Sequence, residues 1–137
     1  MASIFTRIIE GELPGQFVWR DDTCVAFLSI APLRPGHTLV VPRGEVDHWL
    51  DIDPHVAAHL MTVAHTIGRA QMRAFSPARV GLIIAGLEVP HTHLHVVPID
   101  RESDLSFTNA RSASGDELSD AGERLRAALG ELGHPLG

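Results

Sequence analysis

Three histidines fall within five residues, His91-Thr92-His93-Leu94-His95, and no other stretch of the chain is so dense in groups that do chemistry. They run on into Val96-Val97-Pro98. In an extended strand, residues two apart share a face. The spacing predicts three imidazoles in a row on one face, with Thr92, Leu94 and Val96 on the other. Leu94 and Val96 suit a core, which leaves the imidazoles facing a cleft or solvent. Three uses fit such a row. A His-x-His pair with a third ligand can hold zinc. Along a strand at about 3.3 Å per residue, however, His91 and His95 stand roughly 13 Å apart, so three rings do not easily share one ion. Neutral imidazole is also a nucleophile near neutral pH; it can attack phosphorus while neighbouring rings stabilise the phosphoryl oxygens. The third use is none, a histidine-rich patch. Strict alternation between an apolar strand and a proline argues against that.

The elements that position this row are readable from periodicity. Ile4, Phe5, Ile8 and Ile9 recur at helical spacing after Ser3, a good cap, and predict a helix over 3–12. Gly11 and Pro14-Gly15 end it. Strands follow at 17–20 and 24–30, separated by an Asp21-Asp22 turn. Pro32 and Pro35 make 31–36 a loop, and 37–42 reads as a buried strand. Asp53-Pro54 starts the longest helix, which runs to Phe75. Its apolar stripe is Val56, Leu60, Ala64, Ile67 and Ala74, widened by Ala57 and Met61. Residues 80–85 and 91–98 are the last strands, with 86–90 a loop. The segment 101–115 is polar and irregular, 116–129 a helix, and 130–137 a frayed end. About five strands and one long helix, without βαβ alternation, predict an α+β domain on an antiparallel sheet. The core is expected over about 3–100 of a single domain, 1–137.

Composition narrows the chemistry further. The chain has 137 residues, 45% hydrophobic and 20% charged, and a net charge of −6. That balance excludes a disordered chain and argues against a duplex nucleic-acid surface. All basic residues are arginine, so a lysine nucleophile or Schiff base is impossible. Any phosphate must be held by Arg, His or backbone N–H groups. The single Cys24 excludes an internal disulfide and reads as a small buried strand residue. No apolar run approaches a membrane span and no signal peptide is evident, so a cytoplasmic location is expected. His55 and His59 have metalloprotease spacing, but Val56 stands where the general base would be; the pair reads as part of a solvated helix face.

The triad, with the flanking segments, resembles the histidine triad family of nucleotide hydrolases and transferases. The resemblance runs through 3–14, Asp21-Asp22, Ala26-Phe27-Leu28, 35–42, Ala85-Gly86 and 88–91. It implies an antiparallel α+β fold, a homodimer and no cofactor. His93 would attack the α-phosphate and carry a nucleotidyl group, which water then releases. His95 and His37 would flank the phosphate, and the backbone carbonyl of His91 would orient the His93 ring. Substrates would be purine nucleoside phosphoramidates, nucleotidyl-lysine adducts or dinucleoside polyphosphates. The base would lie against Ile4, Phe5, Ile8, Phe27 and Ile30, residues that would serve equally well as core. Gly86, Leu87 and Glu88 would line the approach to the phosphate. A nucleotide-binding regulatory module with weakened catalysis is the alternative, and a hydrolase using a metal on His37, His93 and His95 is a third.

The departures from the family pattern are specific. Bacterial members that bind zinc do so with Cys-x-x-Cys and a later histidine, positions held here by Ser3, Thr6 and Glu45; only His91 of that set remains. No metal is expected there. Ser29 stands where the family has an aspartate for the ribose hydroxyls, and Leu87 replaces an amide near the phosphate. Ser29 offers one neutral hydroxyl, so weaker discrimination of ribose from deoxyribose is expected.

Overall fold

A computed structural model describes residues 2–136. Its five strands are β1 (Phe17–Arg20), β2 (Cys24–Leu28), β3 (Thr38–Pro42), β4 (Arg79–Ile83) and β5 (Leu94–Ile99). They form one antiparallel sheet in the order β1-β2-β3-β5-β4. The helices are α1 (Ile4–Ile9), α2 (Pro54–Phe75) and α3 (Gly115–Glu131).

Two cores lie on the two faces of the sheet. On one face α2 and α3 cover Cys24, Ala26, Leu28, Val40, Leu94 and Val96 with Leu60, Val63, Ile67, Leu125 and Leu129. On the other, α1 brings Phe5 and Ile8 onto Val25, Phe27, Leu39 and Val41. Alternation along β2 and β3 supplies both faces, which is why these strands are buried throughout. At about 25 cal/mol per Å², each of these large side chains contributes roughly 1.5–3 kcal/mol by leaving water.

The caps explain where the helices begin. Ser3 Oγ accepts the Thr6 N–H ahead of α1, Asp53 accepts the His55 N–H ahead of α2, and Ser114 forms a capping box with Glu117 ahead of α3. Gly36 precedes β3 with φ of +90°, and a Cβ there would come within 2.5 Å of the Phe75 ring. Only glycine meets both conditions.

Several expectations are corrected. Met61 is 53% exposed rather than part of the core, because it lies beyond the sheet edge at β4. The segment 101–115 contains two 3-10 turns, Glu102–Leu105 and Phe107–Asn109. The chain remains structured past 130: α3 extends to Glu131, His134 N–H bonds Leu129 O, and the His134 ring lies tilted against Trp19 with centroids 5.4 Å apart. Gly137 lies outside the described residues. Among the described residues no helix is long and apolar enough to cross a membrane.

Candidate active site

The last strand begins at Leu94, so only His95 of the three histidines is in it. His91–His93 approach it irregularly because their backbone is bonded elsewhere. The His91 N–H goes to Val89 O, and the Thr92 N–H to Val46 O. The Thr92 hydroxyl also donates to Val46 O. The single row of imidazoles in strict alternation is therefore replaced by a bent one. All three residues before Leu94 are buried, and the His93 and His95 ring centres are 4.8 Å apart.

Each ring's protons follow from its partners. His93 Nδ1 lies 2.7 Å from His91 O. A carbonyl only accepts, so Nδ1 carries the hydrogen and Nε2 keeps a free lone pair. His37 Nδ1 accepts the Leu33 N–H at 3.0 Å, so its Nε2–H donates to His95 Nδ1 at 2.9 Å. The neutral His95 ring then holds its hydrogen on Nε2. His91 Nε2–H donates to Pro42 O at 2.7 Å, and its Nδ1 accepts from the Ser3 hydroxyl at 2.7 Å.

Burial keeps this cluster uncharged. It pushes His37 down to about 3, helped by the nearby His95 and His93 rings. It pushes His95 down to about 4, helped by His93. It lowers His93 as well, against the opposing pull of the His91 carbonyl. A neutral imidazole with a free Nε2 is the nucleophilic form.

The two residues expected to flank the phosphate differ: His95 has an Nε2–H left to offer, and His37 does not. His37 is 2% exposed, and both its ring nitrogens are engaged, one by the Leu33 N–H and the other by His95. The expected apolar pocket is only partly assembled. Phe5, Ile8 and Phe27 pack together, and Phe5 meets the His93 ring edge-on at 4.8 Å. Ile4 and Ile30 are 46% and 68% exposed, outside that cluster. Ser29 lines a different cleft of about 600 Å3, with His37, Arg34 and Arg111. Its hydroxyl accepts the Ala31 N–H at 3.3 Å. Gly86 takes φ of +83°, and Leu87 projects almost fully into solvent. The Glu88 carboxylate is near enough to favour a proton on His93.

Two contacts escaped sequence reasoning. Phe107 lies edge-on to His95 at 5.1 Å. Its segment is anchored by Arg34, which pairs with Asp100 at 3.0 Å and Asp104 at 2.6 Å. A polar stretch with one phenylalanine carried no signal for this. The second is a network on His91. Glu45 Oε1 accepts the Ser3 N–H at 2.6 Å and the Thr6 hydroxyl at 2.8 Å, which lowers the carboxyl's pKa. The four positions that the resemblance assigns to zinc thus do meet. Their donor set does not fit the ion: two neutral hydroxyls and a carboxylate bond one another, and both His91 nitrogens are taken.

The HIT domain family matches residues 10–102. A HIT-like protein of Borreliella burgdorferi is 38% identical over 111 residues, covering 76% of this chain and 80% of the relative. Adenylylsulfatase HINT3 of Arabidopsis thaliana is 30% identical over 100 residues, 69% of this chain and 51% of that protein. A zinc-bound histidine triad family protein from Mycobacterium smegmatis superposes with a TM-score of 0.84 at 31% identity, covering 97% of this chain and 96% of that one. With the family's fold, its triad and relatives of this identity in place, the chain belongs to the histidine triad family.

Proposed function

We propose that this chain is a nucleotide hydrolase or nucleotidyl transferase working through a covalent nucleotidyl-His93 intermediate. The observation that carries the reading is the His93 Nδ1–H bond to the His91 carbonyl, which frees Nε2 on a neutral ring. Nε2 attacks the α-phosphorus; a P–N bond forms and the bond to the leaving group breaks. The leaving group keeps the electron pair and takes a proton from water. Attack makes the His93 ring cationic, which strengthens its bond to the carbonyl, so the contact favours the transition state over the ground state. His95 Nε2–H donates to a phosphoryl oxygen, with His37 holding the ring in that tautomer. Water then attacks phosphorus, the P–N bond breaks, and the ring recovers its lone pair as a proton leaves to solvent. That a relative at 30% identity is an adenylylsulfatase supports an adenylyl conjugate as substrate. Phe5 beside His93 is a suitable wall for a purine. No step uses a metal.

A homodimer through α2 and β4 completes the proposal. β4 is an edge strand, and beside it runs a groove of about 480 Å3 lined by Met61, Met72, Val80 and Leu82. Edge strands with exposed apolar side chains are ordinarily covered.

The test is turnover of a fluorogenic adenosine phosphoramidate. The wild type should turn over with a nucleotidyl adduct on His93 detectable by mass after acid-free quenching. His93→Ala should lose far more than the roughly 10²–10⁴-fold expected of an acid–base group, while keeping adenosine monophosphate affinity within a few fold. Wild-type-like turnover by His93→Ala would sink the assignment.

A further inference from the structure

On the opposite face of the sheet from the imidazole cluster, three unlike metal-ligating groups converge. The Asp21 carboxylate, the Cys24 thiol and the His59 imidazole each offer one atom, and all three atoms lie within 4.8 Å of one another. We propose that Asp21 Oδ2, Cys24 Sγ and His59 Nε2 form a binding site for a zinc-like borderline divalent cation, with water completing a tetrahedron.

The residues come from three places: the turn before β2, its first position, and the first half of α2. His59 stands on the polar, partly exposed face of its helix, as its sequence position suggests, but its ring is engaged by Asp21 rather than left to solvent alone. Its Nε2 is 2.6 Å from Asp21 Oδ2, and the Cys24 Sγ is 3.7 Å from the same oxygen. Thiol and imidazole thus both direct a hydrogen at one carboxylate oxygen. That is the position a dication takes when it replaces such hydrogens. With metal–ligand bonds of about 2.0–2.3 Å, tetrahedral geometry asks for ligand atoms roughly 3.3–3.8 Å apart. The sulfur–oxygen spacing already complies, and the nitrogen must withdraw by a fraction of an ångström, which a half-exposed histidine on a helix surface permits.

The carboxylate is oriented from behind. Its other oxygen accepts the Thr23 and Cys24 N–H groups, both at 2.8 Å, and the Trp19 indole N–H reaches Oδ2 at 2.8 Å. Such outer partners fix a ligand's direction before a metal arrives. Cys24 is fully buried while Asp21 and His59 are partly open, so the cation would enter from the solvent side, where the fourth position stays wet. Burial and the Asp21 charge push the thiol up to about 12, so it is protonated without metal. Binding therefore releases the thiol proton and moves the His59 hydrogen from Nε2 to Nδ1. The binding donors are one thiolate, one imidazole and one carboxylate, a set that suits zinc or cobalt better than magnesium or calcium.

The probe is cobalt(II), added to the whole protein at neutral pH. Cys24 is the chain's one cysteine, so a thiolate-to-cobalt charge-transfer band in the near ultraviolet reports this site alone. The expected result is that band, with intense tetrahedral bands in the visible, saturating at one equivalent and reversed by zinc. Zinc should also raise the thermal midpoint, and Trp19 fluorescence should change in a Trp49→Phe background. Cys24→Ser should lose the charge-transfer band. His59→Gln, at a partly exposed position that leaves the core intact, should weaken binding at least tenfold. Phosphoramidate turnover should be unaltered by metal or by either variant. Absence of the charge-transfer band at millimolar cobalt, or its survival in Cys24→Ser, overturns the proposal.

Discussion

Acidification should unfold this protein through two of its histidines, well above the pH at which carboxylates titrate. In the unfolded chain an imidazole takes up a proton near its ordinary value of 6.5; in the folded chain His95 waits until about 4 and His37 until about 3. Between those limits the unfolded state binds more protons, so stability is full above about 6.5 and falls as pH drops. Each group contributes a slope approaching about 1.4 kcal/mol per pH unit. Integrated from pH 7 to pH 5, that is about 2 kcal/mol each and about 4 kcal/mol for the pair. The depressed His93 adds to the same drop. Domains of this size have only about 5–15 kcal/mol to lose. With a urea slope of about 2 kcal/mol per molar, the midpoint should fall by about 2 M across those two pH units. His37→Gln keeps an N–H to offer His95 but cannot titrate, so its midpoint should fall by about 1 M less over the same range. The assay is urea unfolding followed by tryptophan fluorescence at pH 7, 6 and 5. A midpoint that stays level from pH 7 to pH 5, or an equal fall in His37→Gln, would refute the reasoning.

Two further outcomes are expected. Ser3→Ala removes both a helix cap, about 1 kcal/mol, and the hydroxyl that donates to the buried His91 Nδ1 at 2.7 Å, about 1–3 kcal/mol more; calorimetry should show a lowered thermal midpoint, largely restored in Ser3→Thr. Leu82→Glu puts a charge into the groove beside β4 that the proposed dimer would cover, so light scattering should give a dimer for the wild type and a monomer for the variant.

The sequence announced α2 because Asp53-Pro54 marks its start and its apolar stripe repeats with the helical period, and the structure places that helix on the same residues. Strand existence was equally plain from short β-branched runs between turn residues. What escaped was decided by partners distant in the chain. His91–His93 leave strand geometry because Thr92 bonds Val46, and no local pattern encodes a pairing 46 residues away. His59 sits on the polar face of its helix, yet finds Asp21 across 38 residues. His93, the proposed nucleophile, stands out in the sequence by its motif. Its tautomer does not, since a backbone carbonyl sets it. The surroundings of His37 were hidden for the same reason: its burial and its two ring partners are tertiary facts.

The strand order has a consequence for how the chain folds as it is made. β5 stands between β3 and β4, although β4 is synthesised first. The outer ladder of β3 therefore waits from Pro42 until Leu94–Val96 emerge, about 50 residues later, which takes roughly 3–10 s at about 5–20 residues per second. Once Ile83 has emerged, late in that interval, β4 is available to the wrong neighbour, and docking it directly on β3 would shut out the strand that carries His95. The β2–β3 hairpin and α2 form a partial core before then, because their contacts are nearer in sequence. Ser3 must then find His91 across 88 residues, one of the longest closures in the chain. The imidazole cluster is thus assembled near the end of folding, and a chain stalled before β5 carries a nascent core but not His95, the ring that His37 and His93 pack against.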